Sequence, residues 1–77
     1  MIDKQFQVIV FQTNTFGNEV LIDDGVFVGN DSPVRKAGAN AYIAELGSRG
    51  FKFVSQIQVK MFNGEYRINW VFERQLN

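Results

Sequence analysis

The chain has no cysteine and no histidine. Without cysteine there is no disulfide framework, no thiolate metal site and no low-pKa sulfur nucleophile. Without histidine the commonest general base and the commonest metal ligand are missing as well. Most hydrolytic and zinc chemistries are excluded together. Long apolar runs are also missing, since nothing approaches the roughly 20 residues that span a bilayer. The opening MIDKQFQVIVFQTN has no basic leader followed by an extended apolar stretch, so an intracellular, cytoplasmic and soluble protein with no membrane contact is expected. Neither sign of charge is in excess: eight Lys and Arg balance eight Asp and Glu. No global field draws in nucleic acid or an anionic surface, and any such binding would be local. The chain shows no internal repeat, linker or low-complexity segment.

Large apolar side chains are abundant. Eight Phe, two Tyr and one Trp, within a hydrophobic fraction of 45%, are too many for a disordered segment. The 77 residues make one domain, residues 1–77. A chain this short buries only about 60% of the surface that its unfolded form exposes. Lacking disulfides and metal, it gains from pairing with a second subunit, which makes a homodimer the expected state.

Residues 5–13, QFQVIVFQT, alternate as a strand, with Phe6, Val8 and Val10 facing one way and Gln7, Ile9 and Phe11 the other. A turn follows around Gly17. Residues 19–28 then form either a hairpin about Asp24 and Gly25 or one bulged strand. Ser32 as N-cap with Pro33 in the first turn predicts a helix over 33–46, closed by Gly47 or Gly50 in a left-handed conformation. Ala39, Tyr42, Ile43 and Leu46 share its core face. Asn63 and Gly64 predict a two-residue hairpin with Phe62 opposite Glu65. In that register Ile57, Val59 and Met61 share a face with Tyr66, Ile68, Trp70 and Phe72, and Lys60 lies opposite Arg67. The expected fold is α+β: an antiparallel sheet of four or five strands with one helix packed on one face, in the order ββαββ.

Two resemblances bear on function. RGFKFVSQ at 49–56 resembles the longer signature of the RNA-recognition-motif family in Arg49, Gly50, Phe51, Phe53 and Val54, and VFVGND at 26–31 resembles its shorter one. This implies bases stacked on exposed Phe51 and Phe53, with the intervening residues forming a core. Those residues continue as Lys52, Val54, Gln56, Gln58 and Lys60, which cannot form one, and the chain has no room for the family's additional strand and helix. The match is read as coincidental. Separately, Leu46, Gly50, Phe51, Val54, Ser55 and, beyond the hairpin, Phe72, Glu73 and Arg74 resemble a family of small microbial and phage domains of unknown function. Phe51 stands where that family usually has Trp. The resemblance implies an α+β fold and carries no activity.

Carboxylates offer little chemistry. Asp23, Asp24, Asn30 and Asp31 lack the spacing of a calcium loop, and no glycine-rich stretch has the pattern of a phosphate loop. No catalytic residue, metal site or cofactor is expected. Candidate anion or nucleic-acid contacts are Arg35 and Lys36 in the first helical turn and Lys52, Lys60 and Arg67 on the polar sheet face. Candidate interface residues are Ile9, Phe11, Val54 and Val71, expected to form an apolar patch on the sheet's open side. The expectation is a non-enzymatic binding or accessory module acting as a homodimer, with a protein partner admissible. A single-stranded nucleic-acid-binding domain and a small-ligand or nucleotide-binding protein using a dimer cleft are the alternatives.

Overall fold

A computed structural model of the chain describes residues 5–22 and 36–76. Alternating, β-branched FQVIVFQTN forms β1 (Phe6–Asn14), and a turn returns the chain through the short β2 (Val20–Ile22). Asn14 organises that turn. Its side-chain oxygen accepts the backbone N–H groups of Asn18 (3.1 Å) and Glu19 (3.3 Å), while Gly17 supplies a φ of 71°. Residues 23–31, with the expected Asp24–Gly25 hairpin and the shorter signature, lie outside the described residues.

The helix α1 covers Ala39–Ser48 with Gly38 as its N-cap; Lys36 before it is also helical, and the expected beginning at 33 falls outside the described residues. Ser32, Pro33 and Arg35 lie outside the described residues. Gly38 is where the helix sits down on the turn: the Ala39 N–H donates to the Asn18 carbonyl at 3.0 Å. A Cβ on Gly38 would lie 2.7 Å from that same oxygen, and φ there is 111°. Only glycine accepts both conditions. Ala39, Tyr42 and Leu46 form the buried stripe and Ile43 packs beside them, the face expected from the helical period.

The helix ends in a Schellman motif. The Phe51 N–H reaches back to the Leu46 carbonyl (3.0 Å) and the Gly50 N–H to that of Gly47 (3.1 Å), with Gly50 at φ 86°. Of the two glycines expected to close the helix, Gly50 does so. Arg74 locks the motif from across the sheet. It donates to the Arg49 carbonyl at 3.0 Å and to Gln7 Oε1 at 2.9 and 3.2 Å, and its guanidinium lies 4.8 Å from the centre of the Phe51 ring.

After this motif, β3 (Lys52–Lys60) and β4 (Tyr66–Gln75) complete an antiparallel sheet of order β2-β1-β4-β3. The fold class is therefore α+β, a four-stranded antiparallel sheet with a helix on it. The connecting turn differs from the expected one. Asn63 does not take the positive φ of a two-residue hairpin, and its side-chain oxygen accepts the Glu65 N–H at 2.9 Å. Gly64 alone is left-handed, at φ 85°, and Met61 becomes the residue paired with Glu65 through its N–H at 2.7 Å. The loop thus has three residues, and the register of β3 slips by one.

A one-residue slip sends side chains to the other face. Ile57 lies opposite Asn69 and Val59 opposite Arg67, while Gln56 and Gln58 lie opposite Trp70 and Ile68. Ile57 and Val59 are thereby on the face away from the helix, contrary to the expected register. A bulge between Phe53 and Ser55 shifts the strand again, so that Phe53 opposes Phe72 on the helix side.

The core lies between α1 and one face of β1 and β4: Ile9, Phe11, Val20, Ala39, Tyr42, Leu46, Phe51 and Phe72, with Trp70 alongside. Phe11 is its centre, with ring centres 4.6 Å from Tyr42, 5.7 Å from Phe72 and 6.0 Å from Trp70. Burying each such side chain stabilises the fold by about 1.5–3 kcal/mol. Thr13, fully buried, accepts the Trp70 indole N–H at 2.9 Å, so the ring meets no unsatisfied polar cost.

Candidate functional site: the open face of the sheet

β1 pairs with β4 through an unbroken register, including Ile9 with Phe72, Phe11 with Trp70 and Thr13 with Ile68. These pairs face the helix. The residues between them face away, namely Val8 opposite Glu73, Val10 opposite Val71, Gln12 opposite Asn69 and Asn14 opposite Arg67. Lys52, Ser55, Ile57 and Val59 extend the same rows across β3. Ile22 extends the Gln12 row onto β2.

This open face carries the exposed apolar surface. Phe6, Val8, Val10, Ile22 and Ile57 are between 45 and 60% exposed, each large enough to gain from cover. They flank β4 on both sides, whereas β4 itself presents Arg67, Asn69, Val71 and Glu73 between them. Two polar atoms of that central strand are shut off from solvent with no hydrogen-bond partner, Arg67 Nε and Asn69 Oδ1. The rest of the Arg67 guanidinium is held by long contacts, to Gln12 Oε1 at 3.3 Å and Glu65 Oε2 at 3.4 Å. Unsatisfied buried groups of this kind each cost about 1–3 kcal/mol.

The expected interface residues are divided by the structure. Val71 lies on the open face, half-buried, and Val54 is exposed in the bulge. Ile9 and Phe11, expected on the open side, are 0 and 1% exposed beneath the helix, because they meet Phe72 and Trp70, the apolar residues of β4. The valines alternating with them, together with Phe6, take the open side instead. Sequence reasoning therefore missed Phe6, Val8, Val10 and Ile57. Both faces of β1 are apolar, and only its pairing partner tells them apart.

The basic residues do not share a surface. Lys60 lies opposite Tyr66, with its ammonium 5.8 Å from that ring, on the helix side; Arg67 and Lys52 are on the open side, where Glu73 opposes Lys52. The expected opposition of Lys60 and Arg67 is replaced by Arg67 with Val59, and Glu65 reaches Arg67 in place of Lys60. Lys36 is exposed and helical and precedes Gly38, the N-cap of α1, while Arg35 lies outside the described residues. The two phenylalanines of the RNA-binding-like signature also part company, with Phe51 buried and Phe53 55% exposed beside Trp70 and Phe72.

No protein-family model, no curated protein and no solved structure matches the chain. Among the described residues, no group of three or more Asp or Glu side chains converges where a metal ion could be held, and no helix is long and apolar enough to cross a membrane. An open hollow of about 280 Å³ is lined by Lys60, Met61 and Phe62 at the hairpin tip, with Phe62 fully exposed.

Proposed function

We propose that this chain is a non-enzymatic, intracellular interaction module that acts as a homodimer, joined through the open face of its sheet. The observation that carries this reading is the set of exposed apolar residues flanking β4, Phe6, Val8, Val10 and Ile57, on the side of the sheet opposite the helix. The shape supports it. The radius of gyration is 13.3 Å, against about 11.5 Å for a compact chain of this length, and the extents of 48 × 26 × 16 Å describe a slab. Among the described residues, the ten-residue helix α1 covers part of one side of the sheet.

The size of the face fits a second copy. Three strands of nine or ten residues give a flat footprint on the order of 450 Å². That is of the same order as the ~800 Å² per partner of a standard interface. The resemblance to small microbial and phage domains concerns architecture alone and adds nothing to this functional reading.

The test is the mass in solution by light scattering over a concentration series, for the wild type and for Val10→Asp with Ile57→Asp. The expected result is a wild-type dimer and a folded, monomeric double variant. A wild type that stays monomeric at every concentration overturns the reading. Titration with single-stranded RNA and with nucleotides, following Trp70 fluorescence, then takes its place.

A further inference from the structure

The open face has a pattern of charge as well as of apolar residues, and the pattern constrains how two copies can meet. Along β4, Arg67 and Glu73 both face away from the helix, six residues apart, with Asn69 and Val71 between them. Their separation is about 20 Å at the rise of a strand. The Arg67 Nε–H is buried without an acceptor. Glu73 is half-buried and, among the described residues, lies in no ion pair within 4 Å, although Lys52 opposes it in the register.

For two sheets stacked face to face with their strands aligned, a two-fold axis in the interface runs either along the strands or across them. An axis running along β4 places each residue of β4 over the same residue of the second copy. Arg67 would meet Arg67 and Glu73 would meet Glu73, like charges in a desolvated interface, which costs several kcal/mol. An axis across the strands reverses the order. When it crosses β4 between Asn69 and Val71, each Arg67 lies over Glu73 of the second copy, and the pairing occurs twice.

We propose that the homodimer is built on this second arrangement. Arg67 of each copy donates to Glu73 of the other, across a two-fold axis that passes between Asn69 and Val71, with β4 antiparallel over β4. The proposal rests on the open-face dimer described above and specifies its geometry. Sheets packed at the usual angle of about −30° and about 10 Å apart displace the two side chains laterally by ~5 Å, within reach of an arginine. The pairing adds a carboxylate to a guanidinium whose contacts within its own chain, to Gln12 and Glu65, are long. It also fixes the register of two otherwise slippery apolar faces, a role for which charge is better suited than area.

Charge reversal tests this directly, because the pairing is reciprocal. Arg67→Glu alone and Glu73→Arg alone are each expected to weaken the homodimer by roughly tenfold or more in Kd. Mixed in equal amounts, these two variants restore complementary pairs at both positions and form a heterodimer. The double variant carrying both reversals restores a homodimer. Sedimentation of each single variant, the mixture and the double variant reads the outcome, with far-UV circular dichroism confirming that each is folded. In the wild type, raising the salt concentration is expected to weaken the dimer, which tests the ion pairs without any substitution.

A wild-type dimer whose single variants are not rescued by mixing, and whose affinity is indifferent to salt, overturns the Arg67–Glu73 pairing while leaving the open-face dimer standing. A wild type that is monomeric throughout overturns both.

Discussion

β4 presents Ile68, Trp70 and Phe72 to one side of the sheet and Arg67, Asn69 and Glu73 to the other. Its neighbour β1 makes no such distinction, with Ile9 and Phe11 on the first side and Phe6, Val8 and Val10 on the second. The helix packs against the first side. The comparison teaches that the central strand decides which face becomes the core. A helix laid over Arg67 and Glu73 would bury charges without partners, at a cost beyond anything the valines of β1 could return. On the side it does cover, Thr13 is the only buried polar residue among the described residues, and its hydroxyl oxygen accepts the Trp70 indole N–H.

The sharpest way to break the comparison is to truncate the two faces in turn. Phe11→Ala is expected to cost about 3–5 kcal/mol of folding stability, read as a collapse of the thermal or denaturant midpoint, because the ring fills the space between Tyr42, Trp70 and Phe72. A loss below 1 kcal/mol would mean that the core is elsewhere. Next in size is Gly38→Ala, which pushes a methyl against the Asn18 carbonyl and holds alanine at φ 111°; about 1–3 kcal/mol should be lost in urea unfolding. Gly50→Ala is a control, strained at φ 86° but meeting no atom within 4 Å, and should cost less. Thr13→Val keeps the shape of the site while removing the acceptor of the Trp70 indole, for about 1–2 kcal/mol and a change in tryptophan emission. Smallest is Val10→Ala, which in dilute monomer should move folding stability by no more than about 0.5 kcal/mol, its effect being confined to self-association.

Much of this was legible in the residues. The helical stripe of Ala39, Tyr42 and Leu46, closure at Gly50, the hairpin at Asn63 and Gly64, and the apolar face of β4 all follow from local pattern and turn chemistry. What could not be read depended on pairs distant in sequence or on a choice between two turns. Asn63 and Gly64 suit a two-residue loop with two positive φ values and equally a three-residue loop with one. The choice moved Ile57 and Val59 to the other face. The bulge at Val54 then returned Phe53 to the helix side, where it opposes Phe72. The sides of β1 stayed ambiguous for want of its partner, and Ile9 and Phe11 were placed on the open side for the same reason. The helix start expected at Ser32 and Pro33 lies outside the described residues, while the seating of Gly38 on the turn after β1 is a contact that local capping signals do not encode.

The strand order has a consequence for how the fold is reached. β1 and β3 do not touch each other in the ladder; each is paired with β4, which follows both in the chain. A nascent chain that has emerged only through residue 65 therefore holds the first strand pair and the helix, but the sheet has no centre and Arg74 is not yet there to clasp the end of the helix. Pairing β1 with β4 then requires closing the span between Phe6 and Gln75, a non-local pairing of the kind that slows folding. During synthesis the apolar flanks of β1 and β3 stand exposed together until β4 slides between them. That interval is when a chaperone, or a second nascent chain, has its opportunity.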